Sequence, residues 1–73
     1  MADLISTFAR RLRQARAEKG WTQEDLADQV GLSVRYIGKI ERRQASPTIT
    51  VLGRLADALE VDPGDLVRRR SGK

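Results

Sequence analysis

Thr22-Gln23-Glu24-Asp25-Leu26-Ala27-Asp28-Gln29-Val30-Gly31-Leu32-Ser33-Val34-Arg35-Tyr36-Ile37-Gly38-Lys39-Ile40-Glu41-Arg42 is a run of two short amphipathic segments broken at Gly31. Thr22 has the chemistry of a helix N-cap, and Asp25 follows at the third helical position, as in a capping box. A helix is predicted from Gln23 to about Gln29, with Leu26, Ala27 and Val30 facing inward. Gly31 stands where the chain must turn, in a backbone conformation that is cheap only for glycine. Ser33 caps a second helix, predicted from Val34 to about Arg42. Two capped helices joined by a glycine turn make a helix-turn-helix.

The second of these helices has two distinct faces. With Val34 at zero and a step of about 100° per residue, Ile37 and Ile40 fall near about 300° and 240° and mark the inner side. Arg35, Lys39 and Arg42 fall near about 100°, 140° and 80°, so three cations project away from the isoleucines. In a major groove, Arg35 and Lys39 can donate to guanine O6 and N7, and Val34 can meet a thymine methyl. Tyr36 is placed for a phosphate or the groove wall, and Gly38 for a close approach of the helix. Gln23 opens the first helix, where free backbone N–H groups and the positive dipole end attract phosphate. Arg42, Arg43 and Gln44 follow as further phosphate candidates. A solvated basic face is the plainer reading of such a strip, but two capped helices around Gly31 favour duplex DNA.

Outward from this core, the flanking segments are also helical. Ile5, Phe8, Ala9, Leu12 and Ala15 recur at helical spacing and predict a first helix from about Leu4 to Glu18, stopped by Gly20. Arg10, Arg11 and Arg13 point off that stripe. Pro47 disfavours helix at Ser46. Thr48 caps a helix over about Ile49 to Glu60, with Ile49, Leu52, Leu55, Ala56 and Leu59 inward. Asp62-Pro63 starts a short fifth helix with Leu66 and Val67 as its apolar contacts. The expected architecture is all-α: one domain over residues 1–67, its helix-turn-helix at 22–42, and a basic flexible tail at 68–73. No strand signal, repeat or linker interrupts it.

Composition narrows the function. The chain has 73 residues, no cysteine and no histidine, with a net charge of +4. A disulfide framework and a thiolate zinc site are excluded, and the commonest general base and metal ligand is absent. Residues 1–20 carry five basic and two acidic side chains, residues 21–46 balance, and residues 47–73 carry one excess positive charge. A positive balance suits a polyanion. With no membrane span, signal segment or glycine-rich phosphate loop, an enzyme or membrane protein is not expected. The expected setting is the cytoplasm, nucleoid-associated through DNA, with no metal, cofactor or small-molecule ligand domain.

Two charges stand on apolar stripes. Arg16 follows Leu12 by four residues on the first helix, and Glu41 lies beside Ile37. Each alone is costly to bury. An Arg16–Glu41 bridge between the first and third helices is therefore predicted, the alternative being that both reach solvent.

The spacing of these elements resembles the Cro/C1-type, or xenobiotic-response-element (XRE), helix-turn-helix family. The likeness rests on Leu12-Arg13-Gln14-Ala15-Arg16, Gly20 to Ala27, Val30-Gly31-Leu32-Ser33, Tyr36-Ile37, Ile40-Glu41-Arg42, Pro47-Thr48 and Leu55 to Leu59, over roughly residues 8–67. It implies a five-helix, lambda-repressor-like domain that binds a (pseudo)palindromic operator as a homodimer. It also implies base contacts from Ser33, Val34, Arg35 and Lys39, and phosphate contacts from Gln23 and Arg42. The family's Arg–Glu pair falls on Arg16 and Glu41. One position departs: Arg43 stands where many members have glycine. If the backbone there is left-handed, Arg43 costs on the order of 1 kcal/mol and adds a cation beside DNA, the alternative being a different loop geometry after the helix that Ser33 caps. The resemblance extends to stand-alone regulators, among them phage repressors, restriction–modification controllers and autoregulators. Val61, Leu66 and Val67, with Val51, are candidates for the dimer surface or equally for closing the monomer core. A protein-interaction module of the antitoxin kind is the other class, though only the short tail is available for a partner.

Overall fold

The computed structural model describes residues 3–68. Five helices follow in chain order: α1 Leu4–Glu18, α2 Gln23–Val30, α3 Val34–Glu41, α4 Ile49–Leu59 and α5 Pro63–Val67. Among the described residues there is no strand. Of the expected tail, Arg69 to Lys73 lie outside the described residues, while Arg68 donates to the Asp65 carboxylate.

Each helix starts on a side chain that accepts a first-turn N–H. The Asp25 N–H donates to Thr22 Oγ1 at 3.0 Å, and the Thr22 N–H donates to Asp25 Oδ2 at 2.9 Å, completing the capping box. Ser33 Oγ accepts from Tyr36 at 3.0 Å, Thr48 Oγ1 from Val51 at 3.1 Å and Asp62 Oδ1 from Gly64 at 2.8 Å. Asp3, not anticipated from the sequence, caps α1 by accepting from the Ser6 N–H at 2.7 Å. That bond holds the Asp3 carboxyl below the usual carboxylate range.

Helices α1 to α4 also end alike. In each, an N–H reaches back five residues: Trp21 to Arg16 O, Leu32 to Ala27 O, Gln44 to Lys39 O and Val61 to Ala56 O. This closure needs a left-handed residue just before the donor. Gly20 (φ 75) and Gly31 (φ 71) supply it for α1 and α2, but Arg43 (φ 64) and Glu60 (φ 60) supply it for α3 and α4. The left-handed Arg43 anticipated from its departure from glycine is thus present, at a cost on the order of 1 kcal/mol.

Helix α1 lies against α3 and α5, α2 against α3 and α4, and α4 against α5. Phe8, Leu12, Leu26, Ala27, Val30, Ile37, Ile40, Leu55, Ala56, Leu59 and Leu66 form one core. Three expectations are corrected here. Ile5 and Ile49, placed inward from their spacing, are 40% and 83% exposed, because they stand in the first turns of α1 and α4, beyond the reach of the packed helices. Thr7 is buried in their place. Leu66 is 2% exposed and closes the core, so its side chain has no area left for a second copy. Val61 and Val67 are half-buried.

Candidate nucleic-acid interface

The orientation of α3 is set at its C-terminal end. The Arg16–Glu41 bridge is present: Arg16 Nε donates to Glu41 Oε2 at 2.7 Å and Nη2 to Oε1 at 3.0 Å. The side chains are 18% and 2% exposed. Hydrogen bonding to the Glu41 carboxylate pushes the Arg16 guanidinium further above its ordinary value. The third guanidinium nitrogen, Nη1, donates to the Trp21 carbonyl at 2.9 Å, which ties in the α1–α2 loop. Gln23 Nε2 donates to Glu41 Oε1 at 2.9 Å. One buried carboxylate therefore joins α1, α2 and α3 and accepts three hydrogen bonds, the partnering that a buried charge requires.

Two further arginines work at helix ends that the sequence reading left unassigned. Arg13, which the wheel turned away from the core, donates through Nη1 to the Glu41 carbonyl at 2.6 Å. Arg54 donates to the Val30 carbonyl. A cation on the last carbonyls of a helix satisfies an orphan acceptor and meets the negative end of the dipole. A Cβ on Gly31 would stand 3.1 Å from Arg54 Nη2, so this glycine serves both the turn and the arginine. For Arg13 the sequence held no signal, because it stands on an exposed position of α1 and its acceptor is 28 residues away. Nor did it hold one for Arg54, whose acceptor is 24 residues away.

With its back anchored, α3 turns its other face outward. Ser33, Arg35, Lys39, Arg42 and Arg43 are exposed, and Val34 is 41% exposed. Ile37 and Ile40 are fully buried behind them. Tyr36 is half-buried and packs on the core edge. Gly38 is the exception to the expected groove approach: it is buried, and an added Cβ would meet Arg42 Nη1 at 2.9 Å and Gln23 Oε1 at 3.6 Å. Its missing side chain makes room for Arg42 and Gln23 rather than for a ligand. Gly38→Ala is expected to keep or raise the melting temperature, since alanine favours helix by up to about 1 kcal/mol and the arginine tip can move. The same change should weaken duplex binding by displacing Arg42. Wild-type DNA affinity in this variant would show that the Arg42 position is immaterial.

Among the described residues no group of three or more His, Cys, Asp or Glu side chains is placed to hold a metal ion. No helix among them is long and apolar enough to cross a membrane.

Comparison with known proteins places this geometry. Residues 12–66 match the helix-turn-helix family HTH_3. The chain is 42% identical over 67 residues to the uncharacterized HTH-type transcriptional regulator y4dJ of Sinorhizobium fredii, covering 92% of this chain and 83% of that one. It is similar to the restriction–modification controller protein C.AhdI of Aeromonas hydrophila, with TM-score 0.82 and 39% identity over 85% of this chain and 94% of that one. It is also similar to the controller protein C.Esp1396I, solved as a tetramer with its natural 35 base-pair operator: TM-score 0.78, 39% identity, covering 85% and 82%. Among curated relatives the matched share of the relative's own length ranges widely, from 34% in one regulator to 86% in another.

Proposed function

The chain belongs to the HTH_3 helix-turn-helix family of transcriptional regulators, and from that premise we propose that it is a repressor or autoregulator that binds a palindromic operator as a homodimer. In this reading α3 enters the major groove. The observation that carries it is the strip of Val34, Arg35 and Lys39, exposed on a helix whose opposite face is buried to 0% at Ile37 and Ile40. A helix so anchored presents its donors in fixed directions, as recognition of guanine O6 and N7 requires. Ser33 and Val34 stand at its entering end.

Phosphate contacts fall to Gln23, Tyr36, Arg42 and Arg43. Gln23 spends one amide hydrogen on Glu41. Its second, with the unpaired N–H groups of the first α2 turn, remains for a phosphate oxygen.

Dimerisation is supported by an apolar groove of about 260 Å³ lined by Leu4, Ile5, Leu52, Ile49 and Val67 with Ser46-Pro47-Thr48. Ile49 in its wall is 83% exposed, and no charged side chain lines it. An exposed isoleucine beside an apolar groove on one face is self-complementary, as a two-fold interface demands. Ser46, in the wall of this groove, stands five residues after the end of the recognition helix, and a dimer that reads a palindrome sets its two such helices into successive turns of DNA, about 34 Å apart. Val61 instead borders a polar cleft with Arg11, Gln14, Glu18 and Asp65. Ile49→Glu is expected to shift sedimentation from dimer to monomer while the melting temperature holds. A dimer that persists in this variant places the interface elsewhere.

Selection of bound sequences from random duplex DNA tests the whole reading. The expected product is a two-fold symmetric site with half-sites one helical turn apart. Failure to enrich any sequence, or enrichment of one asymmetric site, overturns it.

A further inference from the structure

A second basic surface lies beside the recognition helix and meets its groove-facing strip at Arg42. Ser6, Arg10, Arg13, Glu41, Arg42 and Arg43 line an open cleft of about 510 Å³ between α1 and the C-terminal end of α3. Four arginines therefore line one space, although the Arg42 guanidinium itself leans back over Gly38 toward Gln23. Among the described residues none of the four has a carboxylate within 4.0 Å, and the Asp3 carboxylate, bonded to Ser6, lies beyond that range but near enough to Arg43 to interact with its charge. The one carboxylate in the lining, Glu41, is already occupied by Arg16 and Gln23.

Two features of this cleft oppose stability. Like charges gathered on one surface repel, and Arg43 is held in a left-handed backbone where glycine would be unstrained. Strain and repulsion that coincide at one place point to a task there. Arg13 adds rigidity, since its Nη1 bond to the Glu41 carbonyl fixes one guanidinium in the cleft wall.

We propose that this cleft is a phosphate site: Arg10 and Arg13 of α1, with Arg42 and Arg43, take a DNA backbone phosphate flanking the groove that α3 enters. The footprint then extends from the helix-turn-helix onto the first helix. The proposal rests on the DNA-binding reading above, which already gives phosphate contacts to Arg42 and Arg43, and adds to them Arg10 and Arg13 of α1. Guanidinium groups suit the role because their planar donor forks match phosphate oxygens.

The test is binding of the full chain to a duplex across a salt series, for wild type, Arg10→Ala and Arg43→Gly. Each phosphate contact contributes about −0.9 to the slope of log K against log salt. Arg10→Ala is expected to flatten the slope by about that amount and to weaken operator and unrelated duplex by the same factor. Arg10 is exposed, so the variant retains its fold. Arg43→Gly is expected to melt at a higher temperature yet bind DNA with a flatter slope, a pair of opposite shifts that a purely structural arginine would not produce. Wild-type slopes in both variants overturn the proposal. Melting in inorganic phosphate against chloride of equal ionic strength separates the sources. Stabilisation by phosphate that needs Arg10, with the DNA slope unchanged, makes this a free-anion site and also overturns the proposal. If wild type binds no duplex, the functional reading fails; if it binds and Arg10→Ala keeps the slope, the cleft alone fails.

Discussion

Replacing Glu41 by alanine is expected to lower the unfolding free energy by about 3 kcal/mol, read from the urea midpoint. The side chain is 2% exposed and accepts from Arg16 twice and from Gln23 once. Its removal leaves the Arg16 guanidinium with only the Trp21 carbonyl, inside a wall built for a charge pair. Loss of one partner of a buried pair costs about 3–5 kcal/mol, and the lower end applies because Arg16 keeps 18% exposure and some screening by water. Small domains hold about 5–15 kcal/mol in total, so the variant would sit near its threshold. The double change Arg16→Met with Glu41→Leu separates charge from packing: apolar residues of similar volume should recover most of the loss. Even with stability restored, operator affinity should stay low, since the bonds that set the tilt of α3 are gone. A Glu41→Ala protein within about 0.5 kcal/mol of wild type would mean that the pair carries no net stability.

Arg35→Ala is expected to weaken operator binding by about 1–3 kcal/mol, roughly 5-fold to 150-fold, and to relax preference at one base-pair position per half-site. Arg35 is exposed in the first turn of α3 and takes no part in the bonds that hold the helix, so stability should remain within about 0.5 kcal/mol. Titrations on the selected operator, on single base-pair variants of it and on unrelated duplex give the comparison. A base-reading arginine loses affinity mainly on the operator. Equal losses on all three duplexes would make Arg35 a backbone contact and move base reading to Lys39.

These two residues differ in how they could be read beforehand. Arg35 is a wheel position: the isoleucines mark the inside of α3, and the cations opposite them follow from the helical repeat. The Arg16–Glu41 bridge was legible for a related reason, since each charge stood on an apolar stripe where it needed a partner. Thr22, Ser33 and Thr48 were equally legible as caps, because each bonds an N–H three residues away. Gly31 was legible because a left-handed turn narrows the choice of residue.

Other features depended on what lies across from a helix. Ile49 and Leu55 share one stripe on α4, yet one is 83% exposed and the other 0%. Periodicity assigns a side to both but does not say where the facing helices end. Leu66 and Val67 were equivalent candidates for a dimer surface until the packing of α5 put Leu66 in the core and left Val67 on the apolar groove. Gly38 was expected to face the groove and instead lies beneath Arg42 and Gln23.

The chain's own order of residues thus dictates five helices, the caps at Thr22, Ser33 and Thr48, the glycine turn at Gly31, the basic outer face of α3 and the need for one internal ion pair. All of these follow from hydrogen bonds and side-chain directions that repeat within a few residues. Assembly of the helices settles the rest: Gln23 joined to the Arg16–Glu41 pair, Arg13 and Arg54 on the last carbonyls of α3 and α2, and Arg10 brought beside Arg42 and Arg43. Arg13 and Glu41 are 28 residues apart, and Arg54 and Val30 are 24 apart. A contact across that distance carries no local period, because it exists only once the closing of the core has paid the entropy of bringing the segments together.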